Sequence, residues 1–184
     1  MPKSVNALLC ALFIIIYASC GVKAGVERLG ADIIKTGDFP DGSVADFPSG
    51  TGPQWALLQK APGEGHFETA GGVCKVVPDK PGSDPSLLTL AYSPCPVGFG
   101  KAYRVSFEVR ADSKRSILVR VGRTGGDRLS YSGLKSFDVA PDWQAISFVF
   151  KSLATDDMSR FEFQCANEKP PLYFRKVSLR PVLE

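Results

Sequence analysis

The stretch Tyr103-Arg-Val-Ser-Phe-Glu-Val-Arg110 alternates apolar and polar residues, with the apolar ones at positions 103, 105, 107 and 109. A period of two is typical of a β-strand that buries one face and exposes the other. The next stretch, residues 116–121, repeats the pattern with Ile117, Val119 and Val121 on its apolar side. The sequence therefore predicts two consecutive strands, each of which presents a polar outer face.

Short apolar or alternating runs continue in both directions along the chain, with almost no helical periodicity. Turn-forming residues separate them, for example Pro40-Asp41-Gly42, Ala61-Pro62-Gly63 and Pro141-Asp142. About nine short strands with such turns predict an all-β fold, a β-sandwich or barrel. The predicted strands are residues 32–35, 55–59, 72–77, 86–92, 103–110, 116–121, 146–150, 161–165 and 172–179.

Length and composition restrict the classes of protein that this chain can represent. The 184 residues are 44% hydrophobic and 22% charged, which favours a single globular domain. A net charge of +3 is too small for a dedicated nucleic-acid binder. The single histidine, His66, argues against a multi-histidine metal site, and no catalytic sequence motif is present. We therefore expect a binding protein and not an enzyme.

The first 24 residues have the pattern of an export signal. Lys3 precedes an apolar stretch, and the small residues near Ala24 suit cleavage there, which leaves residues 25–184 as one domain. The stretch is shorter than the roughly 20 apolar residues of a transmembrane helix. Ala18-Ser19-Cys20 also resembles the end of a bacterial lipoprotein signal, which would leave Cys20 lipidated. Both routes predict a domain outside the cytoplasm, either secreted or lipid-anchored at the cell surface.

Three cysteines remain in the expected domain. In an oxidising compartment we expect one bridge, between Cys74 and Cys95, and a buried thiol at Cys165. The alternative is that all three are buried and unbridged.

The polar sides of the predicted strands supply candidate ligand contacts. Glu108, Arg110 and Arg120 point outward on consecutive strands, and Glu162 and Gln164 do so near the end of the chain. Planar side chains of this kind can each form two hydrogen bonds to sugar hydroxyls. We expect Arg110 and Arg120 to be adjacent on one face. Glu108 and Glu162 could in principle form a glycosidase pair, but outward glutamates are common on sheets.

Five segments together resemble the carbohydrate-binding modules of families four, nine and twenty-two. The segments, which cover nearly the whole expected domain in the right order, are residues 33–39, Trp55, 100–111, 142–150 and 172–179. The resemblance implies a jelly-roll sandwich of two antiparallel sheets, galactose-binding-like and non-catalytic, with a polysaccharide cleft across one sheet. It also implies core positions at Tyr103, Phe107, Trp143, Phe148 and Phe150.

The same resemblance assigns roles to three further residues. It places Arg110 on the cleft side of its strand and identifies Gln164 with the cleft glutamine of cellulose-binding members. It makes Tyr131 an aromatic at the cleft edge that stacks on a sugar ring. With Glu108 and Arg120, these residues form the predicted ligand site.

One feature of the family pattern is missing. Such modules commonly hold a structural calcium with an Asp in the last strand, where this chain has Arg175. A calcium ion beside a guanidinium would be repelled. We therefore expect no cofactor and no calcium there, and we expect Arg175 to pair with Asp38 or with backbone carbonyls.

The predicted function is non-catalytic binding of a polysaccharide, at most as an accessory to glycoside hydrolases. Residues 101–135 hold nine Lys or Arg against three acids, which could be a solvated surface balanced by acids elsewhere. Alternatively, Arg110 and Arg120, expected on one face, favour an anionic glycan of plant or algal type. The alternative is a cell-surface structural or protein-interaction sandwich that has lost sugar binding.

Overall fold

The computed structural model describes residues 27–45, 53–125 and 129–183, so the expected signal segment and Cys20 lie outside the described residues. Two six-stranded sheets make up the fold. We call the sheet with the order β2-β3-β6-β11-β8-β9 the front sheet, and the sheet with the order β10-β7-β12-β5-β4 the back sheet, in which β1 also pairs with β12. The strands are β1 Arg28–Leu29, β2 Val44–Ala45, β3 Gln54–Gln59, β4 Glu64–Ala70, β5 Val73–Lys80, β6 Leu88–Ser93, β7 Ala102–Ala111, β8 Arg115–Gly122, β9 Lys135–Val139, β10 Gln144–Lys151, β11 Arg160–Gln164 and β12 Leu172–Leu183.

The inward faces of the two sheets form one apolar core. Strand β7 alternates between buried and half-buried residues along its whole length, as its sequence predicts. Trp55, which is fully buried, packs against Phe39 with ring centroids 4.8 Å apart and lies parallel to Phe163 at 6.3 Å. Large aromatic side chains of this kind contribute most of the buried apolar area in a sandwich core. The predicted all-β sandwich is confirmed.

Three local features differ from the prediction. Residues 32–35 do not form a strand, because the Asp32 carboxylate accepts hydrogen bonds from the backbone nitrogens of Ile34 and Leu179, each at 3.0 Å. Strands β1, β2, β4 and β9 were not predicted; in β4, Glu64–Ala70, glycine and charged residues weaken the apolar signal. The two-residue strand β2 pairs with β3 in parallel, whereas the named strand pairs elsewhere are antiparallel.

The chain crosses between the sheets after β7. Strand β7 pairs with β10 and β12 in the back sheet, whereas β8 pairs with β11 and β9 in the front sheet. The outer faces of β7 and β8 therefore lie on opposite sides of the molecule. Among the described residues, no helix has both the length and the apolarity needed to cross a membrane.

Candidate carbohydrate-binding cleft

The outer face of the front sheet carries a group of recessed polar side chains. Phe161 and Phe163 of β11 point into the core, so Arg160, Glu162 and Gln164 point outward. Glu162 and Gln164 are nevertheless only 2% and 6% exposed. Outward polar residues on a sheet are usually solvated. Their burial shows that this face is recessed.

An open cleft of about 310 Å³ lies over this face. Its walls come from β3, β6, β11 and the segments that follow β3 and β8. Polar groups line most of it, chiefly Lys60, Ser86, Thr89, Thr124, Arg160 and Glu162. The hydroxyls and charged groups offer both hydrogen-bond donors and acceptors, which is what sugar hydroxyls require.

Glu162 organises the floor of the cleft. Its carboxylate accepts hydrogen bonds from Nε of Arg120 at 2.6 Å and from the terminal amino group of Arg120 at 3.0 Å. It also accepts from Nε of Arg160 at 2.7 Å and from the amide of Gln164 at 3.2 Å. Two guanidinium groups and one amide therefore converge on one carboxylate, which fixes the geometry of all four side chains.

The pKa of the Glu162 carboxyl is lowered from its ordinary value. Burial alone would raise this pKa, but the hydrogen bond from Arg120 and the charges of Arg160 and Arg120 outweigh it. Glu162 is therefore ionised at neutral pH, and Arg120 and Arg160 both form ion pairs with it.

The structure divides the predicted site between two faces. Arg120 and Gln164 lie together with Glu162 on the front face, as predicted. Glu108 and Arg110 belong to β7 and lie on the back face. The predicted adjacency of Arg110 and Arg120 is wrong, because consecutive strands of this fold enter different sheets. For the same reason, Glu108 and Glu162 cannot act as two carboxylates across one glycosidic bond.

Two aromatic residues, Tyr131 and Trp143, do not lie where the sequence predicted. Tyr131, predicted as a stacking residue, is 1% exposed, and its hydroxyl donates a hydrogen bond to the Asp156 carboxylate at 2.9 Å. Trp143, predicted as a core residue, is half-buried on the outside of the back sheet, where it lies beside Arg175. Tyr103, Phe107 and Phe150 are buried as predicted, and Phe148 packs against the core from its edge.

Two cationic side chains, Arg175 and Lys176, lie at the position where the family pattern has a calcium ligand. Arg175 donates from Nε to Glu108 at 2.6 Å and so does not pair with Asp38 as expected. Its neighbour Lys176 also donates to Glu108, at 2.7 Å. Within residues 27–45, 53–125 and 129–183, no group of three His, Cys, Asp or Glu side chains could hold a metal ion.

The predicted bridge between Cys74 and Cys95 is absent. Cys74, Cys95 and Cys165 are all free thiols in the core. Cys74 lies on β5 of the back sheet, whereas Cys95 follows β6 of the front sheet. Burial raises the pKa of Cys95 and of Cys165 to about 12 in each case. Burial, with a smaller effect from Cys165, also raises the pKa of Cys74.

We expect these three thiols to resist alkylation in the folded protein at pH 8, because the reactive thiolate is suppressed and the sulfur atoms are buried. Iodoacetamide labelling followed by peptide mass spectrometry should leave Cys74, Cys95 and Cys165 unmodified in buffer and modify all three in denaturant. A Cys74–Cys95 disulfide-linked peptide in a non-reducing digest would contradict the structure.

Sequence reasoning overlooked most of the residues that line the cleft, among them Arg160, Thr89 and Lys60. Arg160 has the same parity as Glu162 and Gln164, so the alternation of β11 could have identified it. Thr89 and Lys60 carried no such signal, because their place in the cleft depends on the pairing of β3 with β6 and of β6 with β11.

The comparisons with known proteins agree with this geometry. The sequence model of a carbohydrate binding domain matches residues 31–170. A solved CBM4 structure is 20% identical, with a TM-score of 0.66 over 80% of this chain and 99% of that chain. No curated protein matches.

Two further structures come from β-1,4-glucanase C of Cellulomonas fimi. Its second N-terminal cellulose-binding domain is 22% identical, with a TM-score of 0.57 over 78% of this chain and 98% of that chain. Its first such domain is 16% identical, with a TM-score of 0.56 over 71% of this chain and 92% of that chain. These likenesses support the sandwich fold, and the sequence model covers well over half of the chain. The protein belongs to the carbohydrate-binding domain family.

Proposed function

We propose that this protein is a non-catalytic module that binds a polysaccharide in the front cleft. The observation that carries the proposal is the recessed network in which Arg120, Arg160 and Gln164 converge on Glu162. Fixed polar groups lose little conformational entropy when a ligand binds, so they suit hydroxyl recognition in a wet groove.

Direct contacts would come from the groups that line the cleft. Arg160 keeps one terminal amino group that makes no hydrogen bond to Glu162, and the exposed Lys60 ammonium lies at the rim. The Thr89 hydroxyl donates to the Ser86 carbonyl at 3.1 Å, which leaves its lone pairs available to a sugar hydroxyl. Glu162 would act mainly by orienting the two arginines, and Gln164 by completing its hydrogen bonds.

The charge of the cleft supports an anionic glycan as the ligand. Among the described residues that line the cleft, the cations Lys60 and Arg160 outnumber the carboxylate of Glu162. A uronate carboxylate can replace water at such donors through charge-assisted hydrogen bonds. The earlier basis for this prediction, a joint face of Arg110 and Arg120, no longer applies.

Two further proposals concern the working state of the protein. The module would need no calcium, because Arg175 and Lys176 supply positive charge where the family pattern expects an acid. It would work outside the cytoplasm, since the first 24 residues have the pattern of an export signal. Secretion and lipid anchoring at Cys20 are both compatible with this proposal.

Affinity electrophoresis of the chain on neutral and acidic polysaccharides tests the proposal. We expect retardation by a uronate-containing polymer, and a loss of affinity of about tenfold or more in Arg160→Ala and Gln164→Ala, because each removes a hydrogen bond of the cleft. Arg104→Ala is the matched control, since it removes an arginine from the other face.

Two outcomes would count against the proposal. Stronger retardation by neutral glucans than by pectin or alginate would remove the anionic preference. The absence of retardation on the whole panel would favour the alternative, a protein-interaction sandwich.

A further inference from the structure

A second groove lies on the outer face of the back sheet, opposite the front cleft. We call it the back groove. It has a volume of about 390 Å³, and its main lining residues are Glu68, Lys75, Arg110, Trp143, Tyr173 and Arg175. These residues come from β4, β5, β7, β12 and the turn before β10. The groove runs across four neighbouring strands, β4, β5, β12 and β7, a span of about 14 Å at ordinary strand spacing.

Arginines and aromatic rings alternate along one side of the back groove. The guanidinium carbon of Arg110 lies 3.7 Å from the ring centroid of Tyr173 and 5.6 Å from that of Trp143. The guanidinium carbon of Arg175 lies 4.0 Å from the ring centroid of Trp143. Cation–π contacts at these distances hold both guanidinium groups in place before any ligand arrives.

Both guanidinium groups retain unused hydrogen-bond donors. Arg175 uses Nε for Glu108, and its two terminal amino groups form no hydrogen bond with the described residues. Arg110 has one ion pair, in which its amino group lies 3.5 Å from the Asp112 carboxylate. The arginine side chains are 30% and 34% exposed, so these donors are accessible from the groove.

The charges around the groove leave a small positive excess. Arg110, Arg175, Lys75 and Lys176 face the carboxylates of Glu68, Glu108 and Asp112. Lys75 lies 3.2 Å from Glu68 at the far end, where the pair offers both a donor and an acceptor. The groove therefore has an anion-binding side and a neutral polar side.

We infer that the back groove is a second glycan-binding site, which takes a short stretch of an acidic polysaccharide. A uronate carboxylate would bind the free edges of Arg110 and Arg175, since a guanidinium matches a carboxylate in a plane. Neighbouring sugar hydroxyls would bind Lys75, Glu68 and the Tyr173 hydroxyl, while the exposed surface of Trp143 would contact a ring face.

The position of the back groove gives this inference a distinct consequence. The two sites lie on opposite outer faces of the sandwich, so one polymer stretch cannot lie in both grooves at once. One molecule could therefore hold two polymer chains together. This inference goes beyond the proposed function, because it places separate residues on the other sheet.

Calorimetric titration of the full chain with a short oligogalacturonide tests the inference. We expect two oligogalacturonide molecules to bind each wild-type protein, and one to bind the double variant Arg110→Gln/Arg175→Gln. Trp143→Ala should weaken binding at the same site about tenfold, and it avoids disturbing the Glu108 ion pairs. Arg104→Ala, on the same strand and face but outside the groove, should retain two sugars.

The two proposals can fail separately. Loss of one sugar in Arg160→Ala and of the other in the back-groove variants supports both sites. One sugar in the wild type, lost only in the back-groove variants, overturns the front cleft and leaves this inference standing. The inference is overturned if the double variant binds like the wild type, or if no oligogalacturonide binds. It is also overturned if poly-glutamate binds as tightly through the same residues, which would indicate an acidic peptide.

Discussion

Replacing Glu162 with alanine should lower the free energy of unfolding by about 3–5 kcal/mol, the cost of removing one partner from a buried ion pair. The side chains of Arg120 and Glu162 are 4% and 3% exposed, so the change would leave the Arg120 guanidinium buried without its bidentate acceptor. Urea unfolding at pH 7 measures the change. Glu64→Ala is the control, because its pair with Lys80 is exposed on both sides and contributes about 0–1 kcal/mol.

The pH dependence of stability gives a second measurement on the same residue. The folded pKa of Glu162 is lowered below the value of about 4.3 for an unfolded glutamate. Its ionised form therefore stabilises the fold above pH 4.3, and this contribution is lost as the pH falls through the lowered folded pKa. The variant should lose this part of the acid dependence. A loss of less than about 1 kcal/mol at pH 7, with an unchanged acid limb, would contradict the role given to Glu162.

The alternation of apolar residues was sufficient to predict most strands, but it did not predict which strands pair with each other in a sheet. Periodicity shows which side of a strand is buried, because side chains alternate with a period of two. It does not show which sheet the strand joins. Arg110 and Arg120 both point outward as predicted, yet they lie on opposite sides of the molecule because β7 and β8 pair within different sheets. A site that spans several strands depends on this pairing.

Aromatic residues near turns were the other source of error. Tyr131 and Trp143 lie outside the named strands, so no period of two defines their orientation. Tyr131 is buried because its hydroxyl has an internal partner in Asp156. Trp143 lies in a groove on the outer face of the back sheet, where Arg175 covers part of its ring. Both outcomes depend on residues distant in sequence.

Close contacts between backbone segments could not be predicted from the sequence either. The alternation of apolar residues does not identify Gly37 as important. Its importance comes from a close approach to β12. The Gly37 carbonyl accepts a hydrogen bond from the Val177 nitrogen at 3.0 Å, beside a bulge between Arg175 and Ser178. The segment around Gly37 is thereby held against the last strand.

Gly37→Ala should destabilise the protein by at least about 4 kcal/mol or prevent folding, which is the range reserved for severe steric or core defects. A Cβ atom at this position would lie 1.7 Å from the Val177 carbonyl oxygen and 2.7 Å from its carbon. Backbone atoms cannot move aside as the end of a side chain can, so either β12 or the segment holding the buried Phe39 must shift. Thermal and urea unfolding of the soluble fraction measure the loss. Gly125→Ala is the matched control, since a Cβ there meets no atom of the described residues within 4 Å and should change stability by less than about 0.5 kcal/mol. A Gly37→Ala variant as stable as Gly125→Ala would show that this close approach does not exist in solution.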